Sequence, residues 1–116
     1  MKISPQHSAP SQTFKIHIAG DLDRAREIVR EFCYERGDCY ALTACDFIYT
    51  GGLEAGLCVS RINYPRFPED PDLIFARVQA LAASLCVGLY QKSYSIEGPH
   101  QTHYFFADCP GGLNEK

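Results

Sequence analysis

An α+β sandwich, with two helices on one face of an antiparallel sheet, is the fold class that this 116-residue chain predicts, and three features carry it. Apolar residues alternate at period two from Phe14 to Ile18, as in a strand covered on one side. Two later stretches, Leu22 to Arg36 and Pro71 to about Gln91, place their apolar residues at helical spacing. Between them lies a segment rich in β-formers, broken at Gly51-Gly52. Strand, helix, two strands, helix and strand give the β-α-β-β-α-β order of a ferredoxin-like sandwich, with room for an extra C-terminal strand.

Each element has its own local signals. Residues 1–12, with two Pro and three Ser and few apolar side chains, read as a flexible lead-in to a single domain over residues 13–108, and residues 109–116 read as a frayed tail. Phe14, Ile16 and Ile18 share one face of the first strand, and Gly20 ends it. Asp21 is a helix N-cap, and Leu22, Ala25, Ile28, Val29, Phe32 and Cys33 form the buried stripe of the helix it opens. Gly37 is the left-handed stop. From Cys39 to Thr50 a second strand is expected, with a bulge near Asp46 where the alternation slips. Gly51-Gly52 supplies the positive φ angles of a tight hairpin, and the chain returns over Leu53 to Asn63. Tyr64-Pro65-Arg66-Phe67-Pro68 cannot be regular, because each Pro lacks an N–H and biases its predecessor towards extended backbone. Asp70-Pro71 starts a second helix, whose Ile74, Val78, Leu81, Leu85 and Leu89 make one long face. Ser93 to Glu97, a turn at Gly98 to Gln101, and Thr102 to Phe106 close the domain.

Composition narrows the function classes. Hydrophobic residues make 46% of the chain and charged residues 22%, the balance of a packed globule. The net charge is −3 and no two basic residues are adjacent, so the footprint of a phosphate-backbone binder is missing, which argues against nucleic acid as a partner. No apolar run long enough to span a membrane and no signal-peptide core are read, which points to the cytoplasm. The six cysteines, at 33, 39, 45, 58, 86 and 109, form no C-x-x-C pair and read as reduced structural thiols. His100-x-x-His103 spans a turn and has no helix to align the two rings, so neither metal nor cofactor is expected.

Candidate sites follow from the expected topology. With the first and third strands taken as central and parallel, the loops Ala19 to Asp23 and Asn63 to Asp70 would emerge side by side, bringing two helix N-termini and Arg66 to one rim. The hairpin turn would lie at the opposite end of the sheet. A homodimer could bring one copy's hairpin to the other's Pro-rich loop. On the uncovered face the outward candidates are His17, Tyr40 or Thr43, Tyr49, Ser60 or Arg61, and Tyr104.

The segment GDCYALTACDFIYTGGLEAGLCVSRINYPRFP, with IAGDLDRAREIVREFC before it, resembles small accessory proteins of tailed bacteriophages and prophages. The likeness runs from about Phe14 to Gln91 and is most specific at Tyr49 to Glu54 and Ile62 to Pro68; the chain departs from the pattern at Tyr40-Ala41-Leu42 and Ser60-Arg61. It implies a non-catalytic protein, acting inside an infected or lysogenic bacterium, that blocks a host immune protein or sequesters a nucleotide-like signal. The contacts expected of such a protein are Tyr49, Thr50, Gly51, Gly52, Glu54, Asn63, Tyr64 and Arg66: stacking by the tyrosines, close backbone approach at the glycines and anion pairing at Arg66. Two other readings stay open. One is a small hydrolase or transferase using Glu54 or Asp46 as base with Arg66 on an anion, and the other is an RNA-binding ferredoxin-like domain.

Overall fold

Phe14, Ile16 and Ile18 are buried while Lys15 between them is exposed, so the alternation read from the sequence is the pleat of the first strand. A computed structural model describes residues 1–107. Within them the order is β1 (Phe14–Ala19), α1 (Leu22–Arg36), β2 (Ala41–Tyr49), β3 (Gly52–Arg61), α2 (Pro71–Gly88), β4 (Ser93–Glu97) and β5 (Thr102–Phe106). The strands form one sheet in the order β2-β3-β1-β4-β5, and every neighbouring pair is antiparallel. The first four strands thus have the ferredoxin-like arrangement, and β5 extends it beyond β4. The tail at 109–116 lies outside the described residues.

Local chemistry fixes the helix ends. The Asp21 carboxylate accepts from the Arg24 N–H at 2.8 Å, and Gly37, at φ 67°, lets its own N–H return to the Cys33 carbonyl. In α2, Asp70 accepts from Asp72 N–H and Pro71 takes the first turn. The helix stops at Gly88, three residues short of the expected Gln91, and Tyr90 follows at φ 58°. By length and composition α2 is apolar enough to cross a membrane, contrary to the reading from sequence. Here its Ile74, Val78, Leu81 and Leu85 are buried with Ile16, Ile18, Leu57, Val59 and Ile96 of the sheet. Each such side chain contributes on the order of 1.5–3 kcal/mol relative to exposure.

Two expectations are corrected. β1 and β3 are not parallel: their register runs from Phe14↔Arg61 to Ala19↔Gly56. A helical crossover brings β2 back parallel to β1 but one strand away, and β3, entering from the hairpin, fills the gap in the opposite sense. The loops leaving β1 and β3 therefore lie at opposite ends, and the two helix N-termini do not meet. The Gly20 N–H instead donates to the Ala55 carbonyl at 3.1 Å, beside the base of the β2–β3 hairpin. Nor is there a bulge at Asp46, since pairing is unbroken from Ala41↔Ser60 to Tyr49↔Gly52. Asp46 shares a face with Leu42 and Ala44 but falls beside Gly20, Asp21 and Leu22, where the helix layer ends and a polar side chain stays solvated. Beyond that point the hairpin runs on uncovered, leaving Ile48, Tyr49 and Leu53 exposed in a molecule 56 Å long.

Candidate functional site

Residue parity decides what the uncovered face presents. Opposite Phe47 in the register stands Glu54, opposite His17 stand Cys58 and Ser95, and opposite Ser95 stands Tyr104. Arg61 and Tyr40 fall on the other face, so Ser60 and Thr43 are the outward members of those two alternatives. The rings on the open face, Phe47, Tyr49, Tyr104 and Phe106, belong to the outer strands. The central strands offer Lys15, His17 and Ala19 and Glu54, Gly56, Cys58 and Ser60, so their one ring is the His17 imidazole, which is hydrogen-bonded to Glu97, and they present no Phe or Tyr to stack RNA.

Across this face runs a groove of about 530 Å³. Its floor is His17 and Ala19 of β1 with Ser93 and Ser95 of β4; Phe47 and Glu54 form one wall, and Tyr104 with the turn Tyr90-Gln91-Lys92 forms the other. Phe47 takes its place because Gly56 has no side chain: a Cβ there would sit 2.3 Å from Phe47 Cε2 and 2.7 Å from the Ile18 carbonyl oxygen. Gly52 seats the Tyr49 ring in the same way, 2.5 Å from a hypothetical Cβ.

Charge in the groove is divided. His17 Nε2 donates to Glu97 Oε1 at 2.8 Å, and that hydrogen bond holds the Glu97 carboxyl below its ordinary range. Glu54 and Lys92 have no ion-pair partner among the described residues. The groove thus carries one available carboxylate, one available ammonium and flanking rings. Burial raises the Cys58 thiol beside His17, which keeps it protonated and unreactive.

The sequence candidates divide between the two ends of the sheet. Glu54 lines the groove, and Tyr49, Thr50, Gly51 and Gly52 make the hairpin tip beyond it. Asn63, Tyr64 and Arg66 lie past the far end of β3, about 23 Å from Glu54 at the usual strand rise. One chain therefore cannot combine Glu54 or Asp46 with Arg66, as the hydrolase or transferase reading required. Asn63 is buried, and its amide is engaged at both ends: Nδ2 donates to the Pro10 carbonyl and Oδ1 accepts from Glu69 N–H, both at 3.0 Å. It clamps the loop from a buried position.

Around that loop lies an ion network. Arg61, 4% exposed, donates through Nε to Asp38 Oδ1 at 2.9 Å and through Nη2 to Glu69 Oε1, while Arg77 reaches Glu69 Oε2 at 3.2 Å. Burial alone would lower the Arg61 pKa, but Asp38 and Glu69 outweigh it and hold the guanidinium above its ordinary value. Burial and the neighbouring Asp38 push the Tyr40 phenol up; its hydroxyl and Asp38 Oδ2 are buried without a hydrogen bond of ordinary geometry. The neighbouring Cys39 side chain, then burial, raises Tyr64 to about 12.

Phe47 and Lys92 were missed by the sequence reading. The signal for Phe47 was present, because a turn that pairs Tyr49 with Gly52 also sets Phe47 opposite Glu54. Lys92 reaches the groove only through the fold.

No family model matches the chain, and no curated protein matches its sequence. Among solved structures the fold is similar to a phage SAM lyase in the apo state, with a TM-score of 0.69 at 16% identity over 84% of this chain and 90% of that one. It is likewise similar to a phage SAM lyase in complex with S-methyl-5′-thioadenosine, with a TM-score of 0.68 at 15% identity over 92% of this chain and 98% of that one. These neighbours tell against the expectation of a non-catalytic binding protein: the architecture taken for a passive scaffold is shared with a phage SAM lyase.

Proposed function

We propose that this chain is a small lyase of S-adenosylmethionine that works in the open-face groove and releases S-methyl-5′-thioadenosine. The observation that carries the reading is the fold likeness to the phage SAM lyase, which extends over 90% and 98% of the two neighbours. The groove supplies matching chemistry. Phe47 and Tyr104 offer faces for an adenine, Glu54 suits the cationic groups of the substrate, and Lys92 draws in its carboxylate.

The reaction explains why no acid–base constellation stands out. Cleaving the bond between the sulfonium and Cγ of the amino-acid chain expels a neutral thioether, which needs no proton. Without water, the replacing electron pair comes from the substrate's own carboxylate, whose oxygen attacks Cγ and closes a five-membered lactone. No proton moves, and a positive and a negative charge disappear together. Such a step is slowed by water and favoured by a site of low dielectric, so the tasks left to the protein are desolvation and alignment. Because the nucleophile is already internal to the substrate, alignment by the protein contributes the restriction of the substrate's torsions to the attacking conformer. In this reading Glu54 holds the α-ammonium clear of the reacting centre and the rings exclude water.

Loss of the methyl donor inside an infected bacterium would starve methyl-dependent host defences, so the protein would act in the host cytoplasm against restriction. The homodimer expected from sequence belongs to the same proposal, with Ile48, Tyr49 and Leu53 of the bare hairpin as its contact. Bacteria expressing the chain should lose S-adenosylmethionine and accumulate S-methyl-5′-thioadenosine, whereas the Glu54→Gln variant should leave both pools near normal. Unchanged pools with well-folded wild-type protein would sink the proposal.

A further inference from the structure

The geometry points to a second ligand site, for a nucleoside monophosphate, in the cavity beneath the Asn-Tyr-Pro-Arg-Phe-Pro loop. This cavity, about 430 Å³, is bounded by Gly37 to Cys39, Arg61, Tyr64 to Phe67, Glu69 and Arg77, and shares no residue with the open-face groove. Its size lies within the usual range for small-molecule sites. A bare phosphate or other simple anion would leave most of it empty.

Its charges do not balance. Three guanidiniums line it against two carboxylates. Arg61 is held by Asp38 Oδ1 and Glu69, and Arg77 by the second oxygen of Glu69, so both carboxylates are paired with these two guanidiniums, Asp38 through one oxygen alone. Arg66 pairs with no carboxylate among the described residues. In a chain of net charge −3 this wall therefore keeps one surplus guanidinium, enough for a single phosphate.

The remaining lining favours a flat body on that anion. Tyr64 lies under Arg61 with 5.4 Å between guanidinium carbon and ring centre, and Phe67, 69% exposed, lies 5.3 Å from Arg66. The Arg66 guanidinium covers one face of Phe67, so a base would stack on the other face and its phosphate would meet Arg66 past the ring edge. The wall is also preformed: Asn63 ties the loop to Pro10 and Glu69, and Phe67 N–H closes a turn on the Tyr64 carbonyl at 2.9 Å. Little ordering remains to oppose binding.

The test is a titration of the ¹⁵N-labelled full-length chain with AMP, followed by amide chemical shifts. Saturable shifts at Gly37, Cys39, Arg66 and Phe67 are expected. Adenosine and inorganic phosphate should each bind at least about tenfold more weakly, and ADP and ATP no more tightly, since one guanidinium meets one phosphate. Arg66→Ala and Phe67→Ala, both at exposed positions, should each weaken AMP binding by about tenfold or more, and Glu54→Gln should leave it unchanged. Shifts confined to groove residues such as Ala19 and Ser93, no saturable shift, or an Arg66→Ala variant that binds like wild type would overturn the site. Since Glu54→Gln disables only the groove, failure here and failure of the lyase reading are told apart.

Discussion

At the scale of single residues, the same side-chain type plays opposite parts depending on which way the pleat turns it. Glu54 faces open solvent, so Glu54→Gln should fold with wild-type stability and lower kcat/KM on S-adenosylmethionine by about a hundredfold, the scale of one lost charged contact at about 2.7 kcal/mol. Arg61 faces inward with two carboxylates. Arg61→Ala should destabilise the protein by about 3–5 kcal/mol in urea unfolding, because Asp38 is left buried without its partner. In sequence Arg61 and Arg66 look alike, and Asn63 looks as available as Tyr64. Only burial and partners separate a clamp from a contact. The two raised phenols give a pH signature with a definite sign. Both Tyr40 and Tyr64 are kept protonated by the fold, so their share of stability is complete below the ordinary value near 10 and is lost as the pH rises through about 12 at Tyr64. Tyr64→Phe should therefore lose less stability than wild type between about pH 8 and about pH 11, measured by urea titration at each pH.

At the scale of elements, strands and helices were legible because their signals are local. Period-two alternation, the Asp21 and Asp70 caps and the stop at Gly37 all specify structure within a few residues. Strand direction was not, because alternation tells which residues share a face and is silent on which strand lies alongside. The parallel pairing assumed for β1 and β3 misplaced a whole rim on that account. Phe47 was hidden for a related reason, since its ring matters through a glycine on the neighbouring strand. Gly56→Ala should cost about 1–3 kcal/mol, as the new methyl meets both the Phe47 ring and the Ile18 carbonyl, and should also weaken S-methyl-5′-thioadenosine binding by displacing the ring. Calorimetry on the variant checks both effects.

At the scale of the whole molecule, the sheet separates two surfaces. The open-face groove lies near the hairpin end and the loop cavity near the start of β1, so changes in one should leave the other intact. The bare hairpin, with Ile48, Tyr49 and Leu53 exposed, should make copies associate, and light scattering should give at least twice the 13.0 kDa of one chain. Function was the least legible level. On the proposed reading, an intramolecular displacement that carries its own nucleophile and leaving group asks for no triad, metal or phosphate loop, so the chain would show none of these motifs. The most direct check is a time course of S-methyl-5′-thioadenosine release from S-adenosylmethionine by purified protein. We expect one equivalent of product for each substrate lost, with the lactone alongside and about a hundredfold slower release by Glu54→Gln. Substrate that stays at the uncatalysed rate with folded wild-type protein would contradict the account.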